Sequence, residues 1–239
     1  MLGADLIGFH TQLHRNNFLD TVSHEKETKA ITMRDLGITT PYMGLGVDRL
    51  DYTKGIMERL NAVELFFTKN PSYKEKFTFV QIAAPSRSMI PEYQKTAKNV
   101  EEKVAEINRK IAVNGWKPVV LLERHHSHEE INNYYRLANV CLVTSLHDGM
   151  NLVANEFVWA RKDKQGVLLS QFTGASRELK DALIINPYNT EELSDAIEKG
   201  LTMSRAEQKK RMDKMREKVM SNNVYRWSAE FLKELISLE

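Results

Sequence analysis

The chain has one cysteine in 239 residues. An intrachain disulfide is therefore excluded, and Cys141, inside the run Val140-Cys141-Leu142-Val143, reads as a small buried hydrophobe of a reducing cytoplasm. No apolar run approaches the roughly 20 residues of a membrane helix, and no basic segment followed by an apolar one opens the chain. Both absences predict a chain that neither spans a membrane nor is exported. An excess of one charge is missing too. The 34 Lys and Arg face 32 Asp and Glu, for a formal net charge of +2, and the signs are interspersed. That pattern offers no field for nucleic acid or anionic lipid, although local phosphate binding stays open. Neither Gly-x-Gly-x-x-Gly nor a Walker motif occurs, so a dinucleotide or ATP site finds no support. No internal repeat or low-complexity segment is visible.

What is present is apolar enough to fold. With 42% hydrophobic and 28% charged residues, the chain can build the core of one large or two small domains, and dominant disorder is excluded. Short β-branched runs at 43–47, 77–83, 119–122, 140–144, 167–170 and 182–186 are apolar on successive residues, as strands covered on both faces must be. Between them, Ile56, Leu60, Val63 and Phe67, then Val100, Val104, Ile107 and Ile111, recur at helical spacing. The pattern predicts an α/β fold, a parallel sheet with helices on both faces. Met212, Met215 and Val219, then Trp227, Phe231 and Leu235, form two further helical stripes read as core, with a break at Asn222-Asn223. The first 40 residues fit less well. Residues 5–10 read as a strand end and 16–22 as a helix, and a boundary is expected within 23–40.

Two junctions between strand and helix carry the chemistry. Gly46-Val47-Asp48-Arg49-Leu50-Asp51-Tyr52-Thr53-Lys54-Gly55 follows a strand and opens a helix. Ligands of open α/β sheets bind outside the carboxyl ends of the strands, where a helix N-terminus presents free amides and a positive dipole end. Arg49 and Lys54 add two cations there. They read as a phosphate clamp, or else as simple partners of Asp48 and Asp51. The second junction is Thr144-Ser145-Leu146-His147-Asp148-Gly149-Met150-Asn151-Leu152-Val153-Ala154-Asn155-Glu156. Gly149 lets backbone approach a ligand, the amides after it can donate, and Asp148 and Glu156 suit the two ends of a sugar nucleotide. The plainer alternative makes Asp148 an N-cap and Glu156 a surface charge.

Three other features are weaker. Arg87 follows the strand at 77–83 and is expected at the same sheet edge, where it could meet a second anion. His125, His126 and His128 resemble metal ligands, but three histidines within four residues cannot converge on one ion from a regular element, and no metal is expected. In Thr173-Gly174-Ala175-Ser176-Arg177-Glu178, Ser176 reads as a helix cap beside a shared cleft.

Four stretches resemble the trehalose-6-phosphate synthases, retaining glycosyltransferases of the GT-B fold: residues 46–55, Val-Gln-Ile-Ala-Ala-Pro-Ser-Arg at 80–87, residues 145–157, and Phe-Thr-Gly-Ala-Ser-Arg-Glu-Leu at 172–179. Ala4-Asp5-Leu6-Ile7-Gly8-Phe9-His10-Thr11 is similar to a further segment of these enzymes. The resemblance implies a Rossmann-like donor domain over 31–239, the C-terminal half of a GT-B fold, with 1–30 as a remnant of an N-terminal Rossmann domain. It also implies transfer of glucose from UDP-glucose to glucose 6-phosphate with retention, without a metal or other cofactor. Arg49, Lys54 and Asp148 would be the catalytic groups. Donor binding would fall to Arg49, Lys54, Asp148, Gly149, Met150, Asn151, Leu152, Val153 and Glu156, with His126 near the uracil. Arg87 would take the acceptor phosphate.

Asn155 stands where the family carries Lys. The acceptor half of the cleft is expected to be missing, which predicts donor binding without efficient synthesis, together with self-association or a partner chain through uncovered apolar surface. The alternatives are an enzyme like glucosylglycerol-phosphate synthase, with another phosphorylated acceptor, and a non-catalytic UDP-sugar-binding subunit.

Overall fold

The computed structural model describes residues 32–86, 89–161, 166–222 and 224–236. The expected strand end and helix within residues 1–30, the remnant segment itself and Arg87 lie outside them. Six strands, β1 (Tyr42–Arg49), β2 (Phe77–Ala84), β3 (Val119–Leu122), β4 (Val140–Val143), β5 (Gly166–Ser170) and β6 (Leu183–Ile185), form one sheet. Every pairing is parallel, and the order is β3-β2-β1-β4-β5-β6. The order therefore reverses between β1 and β4, and this switch point opens a crevice at the carboxyl ends of the two strands.

Successive apolar residues in the strands have a direct cause. Alternate side chains leave opposite faces of a strand, and both faces here are covered. Phe77, Phe79, Val140, Leu142 and Leu168 pack with α1 (Ile56–Lys69), α2 (Pro91–Ile111) and α6 (Thr190–Thr202). Val80, Ile82, Cys141, Val143, Val167 and Leu169 pack on the other side with α3 (His128–Leu137), α4 (Leu152–Ala160) and α7 (Arg205–Ser221). Each fully buried Leu, Val or Phe contributes roughly 1.5–3 kcal/mol over its exposed state, so two such layers hold the sheet between them.

The helical stripes divide. Met212 and Met215 are buried as expected, whereas Phe231 is 51% exposed and Leu235 47% exposed on α8 (Val224–Ile236). Periodicity showed an apolar face there but not what covers it. Helix α7 ends at Ser221, with the expected Asn222 as its C-cap, while Asn223 lies outside the described residues. The single-turn helix α5 (Ala175–Glu178) starts at Gly174, and no side chain caps it. Ser176 is not the cap, because its hydroxyl donates to the Thr173 carbonyl at 2.7 Å instead.

Candidate active site

The loop after β1 is shaped by its own sequence. Asp51 caps a short 3-10 turn, Tyr52–Lys54, accepting from the Thr53 amide at 2.9 Å and the Thr53 hydroxyl at 2.8 Å. Gly55 ends the turn at φ 62°, and a Cβ there would lie 2.1 Å from the Thr144 carbonyl oxygen. Only glycine combines that left-handed backbone with so close an approach to β4. The turn is also sewn to the loop after β4, since the Leu146 amide donates to the Thr53 carbonyl at 2.8 Å.

The result brings Lys54 and Asp148 together. The ammonium donates to Asp148 Oδ2 at 2.6 Å across the switch point. Asn151 Nδ2 donates to the same oxygen at 3.1 Å, and Ser145 Oγ lies 3.4 Å from it. Burial pushes the Asp148 carboxyl up, but the Lys54 hydrogen bond and charge, with Asn151, outweigh it and hold the group below the usual carboxylate range. Asp148 therefore faces the crevice as an anion.

Neither plainer pairing occurs. Asp48 takes the guanidinium of Arg59, not Arg49, and Asp51 is spent on Thr53. Arg49 is exposed at the carboxyl end of β1, in register with Ala84, and its side chain has no ion-pair partner among the described residues. Of the two cations expected to clamp a phosphate, Lys54 is thus committed to Asp148, and Arg49 has no such ion pair among the described residues.

Asp148 is not the N-cap either. Asn151 caps α4 from a left-handed backbone, φ 68°, its side chain accepting from the Ala154 amide at 3.3 Å. Met150 and Leu152 are exposed beside it, and Val153 is half-buried. The loop is held from the β5 side: the Gly174 amide donates to the Asp148 carbonyl at 3.0 Å and the Ala175 amide to the Met150 carbonyl at 2.9 Å. A Cβ on Gly174 would lie 2.0 Å from the Gly149 carbonyl oxygen, while one on Gly149 would meet nothing within 4 Å. Gly174 is demanded by loop packing; Gly149 is exposed and has open space beside its backbone.

Glu156, in the second turn of α4, is half-buried and accepts from the Tyr135 hydroxyl at 3.0 Å, so it is more than a surface charge. His126 is half-buried in the loop after β3, with Nδ1 2.9 Å from the Arg124 carbonyl oxygen and its ring edge-on to Tyr134. Among the described residues no group of three His, Cys, Asp or Glu could hold a metal ion.

Sequence reading missed Arg59, Gln81, Thr144 and Tyr135. The signal for Arg59 was present. It lies between the core positions Ile56 and Leu60, on a face where a charge must find partners. Tyr135 carried no comparable mark, being an aromatic on an amphipathic helix.

The model of glycosyltransferase family 20 matches residues 26–237. A bifunctional trehalose-6-phosphate synthase/phosphatase of Thermoproteus tenax is 33% identical over 99% of this chain and 38% of its own length. An alpha,alpha-trehalose-phosphate synthase (UDP-forming) from Burkholderia xenovorans, solved in complex with glucose-6-phosphate, superposes with a TM-score of 0.84 at 31% identity, covering 92% of this chain and 49% of that one. A trehalose-6-phosphate structure from E. coli, bound with UDP-2-fluoro glucose, gives 0.82 at 31% identity, covering 97% and 60%. The chain thus spans between about two fifths and three fifths of these proteins.

Proposed function

The chain belongs to glycosyltransferase family 20, and from that premise we propose that residues 31–239 form the donor domain of a trehalose-6-phosphate synthase-type enzyme. The reaction would carry glucose from UDP-glucose to glucose 6-phosphate with retention. Two relatives support these substrates, one solved with glucose-6-phosphate and one with UDP-2-fluoro glucose.

The observation that carries the proposal is the Lys54–Asp148 contact across the switch point. A diphosphate entering there meets the ammonium, the uncommitted guanidinium of Arg49 and the first amides of α4. As the bond from the anomeric carbon to UDP breaks, its electron pair moves onto the diphosphate, and the Lys54 ammonium, held by Asp148, stabilises that charge together with the Arg49 guanidinium. They supply the neutralisation that a divalent ion would otherwise give, so the reading needs no metal. Asp148 and the backbone of 149–151 would face the donor sugar, with Leu152 and Val153 beside them, Glu156 would take the ribose hydroxyls, and His126 would border the base. Arg87 would take the acceptor phosphate.

Calorimetric titration with UDP-glucose tests the reading. The chain should bind, in EDTA as well as without it. Arg49→Ala/Lys54→Ala should lose at least about a hundredfold in affinity, because two charge-assisted contacts go together. Unchanged affinity in that variant would overturn the assignment. A parallel titration with glucose 6-phosphate separates a synthase, which needs both sites, from a donor-binding subunit.

A further inference from the structure

Arg59 is fully buried on α1, and its guanidinium ends in polar partners from four places. Nε donates to Thr144 Oγ1 at 2.9 Å, one nitrogen donates to Asp48 Oδ2 at 2.6 Å and Gln81 Oε1 at 2.8 Å, and the last reaches the Lys54 carbonyl at 3.4 Å. These partners belong to β1, β2, the end of β4 and the turn that carries Lys54. Room for them is cut into the sheet, since a Cβ on Gly46 would lie 2.3 Å from the guanidinium and 2.6 Å from Gln81 Oε1.

An ion pair taken wholly out of water is weak evidence for stability, because desolvation offsets its attraction. What the fork adds is geometry. The Lys54–Gly55 backbone is gripped twice: Arg59 reaches the first carbonyl, and Thr144 Oγ1, which Arg59 orients, donates to the Gly55 carbonyl at 3.0 Å. The same Thr144 immediately precedes Ser145, where the Asp148 loop begins. Both sides of the Lys54–Asp148 contact are therefore anchored on one guanidinium.

We infer that Arg59, with Asp48 and Gln81, is a positioning residue that sets the Lys54 ammonium against Asp148 and so prepares the site for a nucleoside diphosphate. The ligand part rests on the function proposed above; the positioning part does not.

A double-mutant cycle on the whole chain tests it, joining Asp48→Asn/Arg59→Met, which removes both buried charges together, with Lys54→Met. The first readout is the Asp148 carboxyl titration by NMR. Its midpoint should rise in each variant, and the combined variant should move it no further than Lys54→Met alone. The second is UDP affinity, which should fall about tenfold or more in each, again without multiplying when combined. The inference is overturned if Asp48→Asn/Arg59→Met folds and leaves both readouts at their wild-type values, or if the losses multiply. Should that pair fail to fold, Arg59→Lys, which keeps the charge and loses the fork, enters the same cycle with the same criteria. A wild-type chain that takes no UDP sinks the nucleotide reading, and the Asp148 titration then decides the positioning alone.

Discussion

The Tyr135 hydroxyl donates to the Glu156 carboxylate at 3.0 Å, tying the helix before β4 to the helix after it. Tyr135 is only 1% exposed, and burial, with Cys141 and Glu156 nearby, raises its pKa far above the ordinary phenol value. The phenol is therefore a permanent hydrogen-bond donor, and it fixes the direction of the Glu156 carboxylate, the group proposed above to take the ribose.

Tyr135→Phe should keep the packing and lose that direction. The expected cost is about 1 kcal/mol of stability, the net worth of one hydrogen bond. UDP affinity should fall several-fold beyond what the stability change explains, as compared by thermal unfolding and calorimetry. Unchanged affinity would detach Glu156 from the ribose.

Glu130 gives a pH test at the loop bearing His126. Its carboxylate takes Arg124 at 2.8 Å and the Ser127 amide at 2.7 Å, closing a capping box with the Ser127 hydroxyl. The Arg124 hydrogen bond first, then the Ser127 amide, lower its pKa to about 2 from an ordinary 4.5. A carboxyl depressed in the folded state contributes stability above its unfolded value and loses it as pH falls through the folded one. The cap should thus hold at pH 5 and fail between about 4.5 and 2. NMR titration should place the midpoint near 2, and Arg124→Ala should move it upward.

Cys141 is sealed in the sheet, and burial pushes its thiol up to about 12. Thiol reagents at pH 8 should react at the rate of global unfolding and speed up sharply in denaturant, because thiolate and access are both denied in the fold. Rapid labelling of the native protein would contradict this burial.

Leu232, Leu235 and Ile236 stand exposed along α8, the last of them 72% exposed. Such an apolar face favours association. Sedimentation should show a concentration-dependent dimer that weakens when Leu232 and Leu235 are both replaced by Lys, and a strictly monomeric wild type would refute it.

The six strands were legible because a parallel sheet covered on both faces demands uninterrupted apolar runs, and their limits moved by at most two residues, as for β1, which extends to Arg49. The two loops proposed to hold the ligand were legible as strand-to-helix junctions rich in glycine and charge. Partner choice was not. Asp48, next to Arg49 in sequence, belongs to Arg59 because adjacent residues of a strand point to opposite faces. The stripe at Phe231 and Leu235, expected in the core, is exposed for a related reason, since periodicity states which face is apolar and not how deeply it is buried.

By itself the sequence determined the sheet class, both glycine-bearing loops and the charges on them, because periodicity and local backbone preference act over a few residues. Only the tertiary structure decided that Lys54 meets Asp148, 94 residues away, and that one guanidinium inside the sheet fixes where they meet. Such pairings depend on strand order and loop closure, which no local spacing encodes.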